Sequence, residues 1–252
     1  MKYSFISNIN IIICLLLLFL FKSNSQAEIF INYGETKSKN TKKIYLTIDM
    51  CPSNKSGYDK ELFNSIIFLS KKYKTTIPVA IAVSGYWILN HINELKEIKQ
   101  LEKDGYILIT WVNHSYKHYY NQNKGIADNF MLYNEIIEAK KDIKKNYDLM
   151  IENNLVPSNF FRFPALVSDN YLNSVVEEMG LIPLGAESWL AKTNGKFQGG
   201  DIILVHGNLN EKLGVNLFIK NVKNNTFDNF EFASILDFEI KKHFFLYHNY
   251  IN

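Results

Sequence analysis

Lys43-Ile44-Tyr45-Leu46-Thr47-Ile48-Asp49-Met50-Cys51-Pro52 is the stretch on which the fold turns. Ile44–Ile48 is built of β-branched, aromatic and aliphatic residues and reads as a buried strand, which the chain leaves through a carboxylate, a thioether, a thiol and a proline. An open nucleotide-binding sheet would carry a glycine-rich phosphate loop at that point, and none follows here. Downstream, short apolar runs at Thr76–Val83, Tyr106–Val112, Phe160–Pro164, Leu181–Glu187, Asp201–His206 and Phe230–Leu236 alternate with amphipathic ones near Asp59–Tyr73, Ile92–Asp104, Asp128–Asn153, Asp169–Met179 and Leu209–Asn221. That alternation marks βαβ units. About seven such strands suit either an open doubly wound sheet or a closed barrel, and the missing phosphate loop favours an α/β barrel of parallel strands.

In such a barrel every strand delivers its C-terminal end to one face, where active sites are placed. Asp49 ends the first strand, His114 and His118 follow the third, Arg162 and Pro164 end the fourth, Glu187 and Trp189 the fifth, and His206 the sixth. Singly, each has a commoner use. An isolated Asp most often caps a helix or sits in a loop, a buried Arg pairs with a carboxylate such as Asp49 or Glu187, and a strand-end His is most often a satisfied core residue. His114 and His118, four apart, lie on one side of a helical turn, where they serve as well for a surface loop as for a metal ion. Their gathering at five strand ends is the informative feature. His91, His243 and His248 have no partners in view and receive no role.

Taken in order, these segments resemble the motifs of the polysaccharide deacetylases, the NodB-homology group or carbohydrate esterase family four, over about Lys43 to Leu236. Thr47-Ile48-Asp49-Met50-Cys51-Pro52 resembles the family's Thr-Phe-Asp-Asp-Gly-Pro, and His114-Ser115-x-x-His118 its paired-histidine motif. Arg162-Phe163-Pro164, Trp189 with Glu187, and Leu204-Val205-His206 resemble the third, fourth and fifth motifs. The resemblance implies a distorted (β/α) barrel and metal-assisted removal of N-acetyl groups from amino sugars of a cell-envelope or extracellular polysaccharide. It further implies Asp49 as base, Arg162 as its orienting partner, His206 as general acid, and His114 and His118 as ligands of a divalent metal, zinc above others. Pro164, Trp189 and Glu187 fall on the substrate groove.

The match departs at Met50, which stands where the family has its third metal ligand, an aspartate. Two histidines alone make a poor zinc site. Cys51, in place of the family's glycine, is the possible third ligand, although neighbouring residues usually point apart and a small buried hydrophobe is an equal use for it. Otherwise Asp49 or water completes a weaker site, or the chain binds glycan without cleaving it. An esterase or deformylase on the same scaffold is a third class. Leu166 stands where the third motif often ends in glycine, and its bulk is expected to narrow the groove.

The N-terminus bounds location. Lys2, the apolar run Ile11–Phe21 and the small residues up to Ala27 have the layout of a secretory signal peptide, and the run is short of the roughly 18 residues that span a bilayer. The expected organisation is a signal at 1–27, a lead-in at 28–42, the deacetylase-like domain at 43–238 and a tail at 239–252. The mature protein is then periplasmic or extracellular, without a transmembrane segment. Its formal charge falls from +3 to +1 with the loss of Lys2 and Lys22, which offers no electrostatic case for nucleic acid. Cys14 leaves with the signal, so Cys51 has no partner for a disulfide.

Overall fold

A computed structural model describes residues 28–133 and 136–238; the leader at 1–27 and the tail at 239–252, with His243 and His248, lie outside the described residues. Strands β1 (Ile29–Ile31), β2 (Lys43–Met50), β3 (Ile77–Val83), β4 (Ile107–Asn113), β5 (Pro157–Phe161) and β6 (Val167–Asp169) are followed by β7 (Ile182–Pro183), β8 (Ser188–Trp189), β9 (Ile202–His206) and β10 (Glu231–Phe232). Between them run α1 (Lys60–Tyr73), α2 (Gly85–Asn90), α3 (Ile92–Lys103), α4 (Ile136–Glu152), α5 (Asn170–Glu178) and α6 (Lys212–Lys223). Seven strands pair in the order β7-β5-β4-β3-β2-β9-β8, all in parallel, with β10 also on β2. The sheet curls into a distorted barrel. Among the described residues no helix is long and apolar enough to cross a membrane.

Residue parity along the strands creates two layers. Ile44, Leu46, Ile48 and Met50 of β2 join Val79, Ile81 and Val83 of β3 and Ile203 and Val205 of β9 beneath the helices, where Leu62 and Phe63 of α1 and Phe218 of α6 meet them. The alternate residues Tyr45, Ala80, Ala82, Ile202 and Leu204 fill the barrel interior. Successive side chains of a strand point to opposite faces, so the odd residues Thr47 and Asp49 and the even residue His206 belong to the interior.

The lead-in is part of the frame rather than a prelude to it. Glu35 bonds to Pro183 and Gly185, while Thr36 and Ser38 bond to Ile202 and Gly200, so residues 35–38 bridge β7 at one end of the sheet to the start of β9 near the other. The expected strands at Leu181–Glu187 and Phe230–Leu236 are much shorter, at two residues each in β7 and β10. The lead-in takes over pairing beside the first, and a 3₁₀ turn at Ile235–Asp237 replaces the end of the second.

Candidate active site

The parallel register of β2 and β9 sets Asp49 directly beside His206. Asp49 is 3% exposed, with Oδ2 3.7 Å from His114 Nε2 and Oδ1 3.8 Å from Arg162 Nη1. Both separations exceed hydrogen-bond length, and Oδ1 has no hydrogen-bond partner among the described residues. Arg162, fully buried, donates from Nη2 to Thr47 Oγ1 at 3.0 Å, while its Nε and Nη1 have no hydrogen-bond partner among the described residues. Burial lowers the Arg162 pKa, with Asp49 and Cys51 opposing. Asp49 is therefore the carboxylate that faces the guanidinium; Glu187 is exposed on the strand-end turn.

His114 and His118 converge without the helical turn that their spacing suggests. The segment from His114 to Tyr120 is irregular, and Ser115 and His118 take left-handed backbone angles, φ 63° and 44°. That turn stacks the two imidazoles edge to face with centroids 4.7 Å apart. Left-handed non-glycine backbone costs of order 1 kcal/mol and persists only where its surroundings enforce it. The enforcing group is Asp142 of α4, whose two carboxylate oxygens accept the Tyr116 and Lys117 amides at 2.7 and 3.0 Å. Asn113 adds a third hold, accepting the Ser115 amide at 3.0 Å while Asn146 donates to it at 2.8 Å.

These residues fit a divalent cation. His114 Nδ1 donates to the Arg162 carbonyl at 2.8 Å, which leaves Nε2 as a lone pair, and burial lowers its pKa, keeping the ring neutral. Cys51 Sγ lies 3.5 Å from that Nε2, and the donor atoms of Cys51, His114 and His118 all fall within 4.8 Å of one another. A zinc tetrahedron with ordinary bond lengths has edges of about 3.3–3.8 Å, so little movement closes the set. His118 Nε2 is buried with no hydrogen-bond partner among the described residues. Burial would raise the Cys51 thiol, but His118 and His206 outweigh it and bring its pKa down to about 7, toward the thiolate that ligates metal. Met50 meanwhile packs fully buried in the layer under the helices. The thiol stands two residues after Asp49, not beside it in the pleat, and so returns to the interior side.

Across the groove, His206 Nδ1 lies 3.1 Å from Glu211 Oε2, and Trp189 Nε1 donates to both oxygens of the same carboxylate at 3.0 and 2.8 Å. Burial lowers the His206 pKa, but Cys51, Glu211 and Asp49 raise it well above its usual value. For Glu211, burial raises the pKa and the bonds from His206 and Trp189 outweigh it, so the carboxylate is held ionised. Cys51, His118, His206 and Glu211 lie in a groove of about 780 Å³ whose walls include Tyr86, Tyr119, Tyr120, Phe130 and Trp189. Pro164 is buried, and Ala165 reaches the groove in its stead. Leu166 is also buried, inside the barrel cluster, so its bulk does not narrow the groove. Its φ of 60° is nonetheless the angle a glycine adopts freely.

Glu211 and Asp142 carried no signal in the sequence. Each lies in or beside a helix among many surface acids, and nothing but the tertiary contact distinguishes it.

A family model described as polysaccharide deacetylase matches residues 36–183. Among solved structures, the chain is similar to a family 4 carbohydrate esterase from Bacillus anthracis, with a TM-score of 0.59 and 18% identity over 82% of this chain and 87% of that one. The peptidoglycan deacetylase PdaC from Bacillus subtilis gives 0.56 and 18% identity over 78% and 89%. BA3943, a family 4 pseudoenzyme from Bacillus anthracis, gives 0.50 and 16% over 74% and 62%. At these identities the structures share the fold.

Proposed function

The chain belongs to the polysaccharide deacetylase family, and on that premise we propose that it hydrolyses the acetamide of an N-acetylated glycan outside the cytoplasm, yielding acetate and a free amino sugar. The observation that carries this reading is the meeting of Asp49, His206 and a Cys51, His114, His118 donor set, of which Cys51, His118 and His206 line one aromatic groove.

Cys51, His114 and His118 would hold the divalent ion, zinc by the softness of its donors. A zinc ion bound there supplies polarisation of the acyl carbonyl and a more acidic water. Asp49 takes the proton of the attacking water, while the buried Arg162 charge, Nη1 3.8 Å from Oδ1, orients the carboxylate. His206, whose Nδ1 is engaged by Glu211, presents Nε2 to the departing nitrogen and protonates it as the carbon–nitrogen bond breaks. Trp189 and the tyrosines offer ring faces for pyranose stacking. Export rests on the signal-like layout of residues 1–27.

A second reading, glycan binding without hydrolysis, draws on Met50 in place of the family's aspartate ligand. Acetate release from N-acetylglucosamine oligomers, with added zinc, cobalt or chelator and with H114A and D49A controls, separates the two. Metal-dependent release lost in both variants supports the hydrolase. No release and no stoichiometric metal at neutral pH moves the reading to binding.

A further inference from the structure

The residue preceding α6 has an unusual use. Glu211 occupies the cap position of that helix, where a side chain ordinarily accepts a bond from the first turn, yet it makes no capping bond. Its carboxylate turns into the groove instead. Both oxygens accept the Trp189 indole N–H, and one of them meets His206 Nδ1 at 3.1 Å. The indole is held from another side by Lys192, whose Nζ stands 3.7 Å over the ring. Gly214 makes room for this arrangement, since a Cβ there would come within 3.0 Å of Glu211 Oε2.

A carboxylate on Nδ1 has a definite consequence for an imidazole. It demands a proton on that nitrogen, so the ring cannot turn Nδ1 toward the groove, and Nε2 becomes the atom that faces substrate. Glu211 binds the groove wall Trp189 through the same group, so the proton donor and the sugar-stacking surface share one anchor. The register of β2 and β9 already sets His206 beside Asp49; Glu211 settles which nitrogen is offered.

We propose that Glu211 is a positioning residue that acts through His206, fixing its tautomer and aim for protonation of the leaving amine, and that it aligns Trp189 with that donor. The proposal rests on the deacetylase reading above. Glu211→Gln tests it closely, because the amide keeps an acceptor for Trp189 Nε1 while offering Nδ1 no charged acceptor. With N-acetylglucosamine oligomers, E211Q is expected to lose on the order of 10²-fold in kcat with KM within about twofold, and E211D to recover part of the loss.

The discriminating comparison uses an aryl acetate, 4-nitrophenyl acetate, whose phenolate leaves without a proton. H206A and E211Q should both lose far less on this ester than on the amide. Equal losses on ester and amide, or no loss on the amide, would overturn the proposal, since a merely structural defect strikes both substrates alike. Nitrogen-15 NMR of the imidazole gives a readout that needs no turnover. In the wild type His206 Nδ1 should carry a proton that E211Q releases or shifts, and an unchanged Nδ1 signal overturns the proposal. A wild type inactive on both substrates sinks the deacetylase reading, while the NMR comparison still decides whether Glu211 holds His206.

Discussion

Asp142 holds the loop that carries both histidines, and replacing it with alanine should cost stability and metal together. The carboxylate accepts two backbone amides, Tyr116 at 2.7 Å and Lys117 at 3.0 Å. Hydrogen bonds to a charged acceptor contribute about 1.5–3 kcal/mol each. The Tyr116 amide is buried and loses its full bond, whereas the exposed Lys117 can take water in exchange, so the gross loss is about 3–4 kcal/mol. Burial of the carboxylate opposes this, as the raised Asp142 pKa records, and a net cost of about 2–3 kcal/mol follows. For a chain of this size that lowers Tm by roughly 5–10 °C. Because Ser115 and His118 then lose what enforces their left-handed backbone, zinc affinity should fall about 10–100-fold, the usual effect of removing a group that orients ligands. Thermal unfolding of the metal-free D142A chain and competition titration with a zinc chelator give both numbers. D142N, which keeps one acceptor, should fall between. A D142A chain with Tm within about 1 °C of wild type and zinc affinity within about twofold would refute this account of how the loop is held.

Three further outcomes follow from the same structure. Cys51→Ser should weaken zinc by more than about 100-fold, beyond the effect of any orienting group, and abolish the thiolate-to-metal charge-transfer absorption of the cobalt form; an unchanged cobalt spectrum removes Cys51 from the ligand set. Asn129→Ala removes a buried amide that donates to the Asn121, Lys124 and Gly125 carbonyls, so hydrogen exchange should accelerate across 119–130 and KM for glycan should rise several-fold with kcat nearly constant. Gly207→Ala would set a Cβ 2.7 Å from Ile48 Cγ2 and 2.8 Å from Met50 Sδ, an overpacking of about 1–3 kcal/mol that calorimetry should register as a lower Tm.

Much of this was open to reading from the chain alone. Strand and helix order is legible because hydrophobic period is a local property, and Lys43–Met50 and Ile202–His206 are recognisable as buried strands from their residues. Residues that must sit at strand ends, such as Asp49, Arg162 and His206, are legible for the same reason. The closure of the barrel by residues 35–38 is not, since a polar segment gives no sign of which sheet ends it will bridge. Nor is the convergence of His114 and His118, which depends on left-handed backbone that helical spacing does not foresee.

The sequence by itself determined an α/β fold with chemistry-bearing residues at its strand ends, because alternating apolar runs must be buried as βαβ units; that pattern suits an open sheet as well as a barrel, and the missing phosphate loop favoured the barrel. Only the tertiary structure decided which atoms meet. Strand pleat sends Met50 to the outer layer and leaves Cys51 facing the histidines, and the strand register seats His206 next to Asp49. Glu211 and Asp142 acquire their roles from contacts across 5 and 26 residues of chain respectively, the first across a turn and the second from a helix. Such contacts depend on directions in space, which residue type and spacing do not encode.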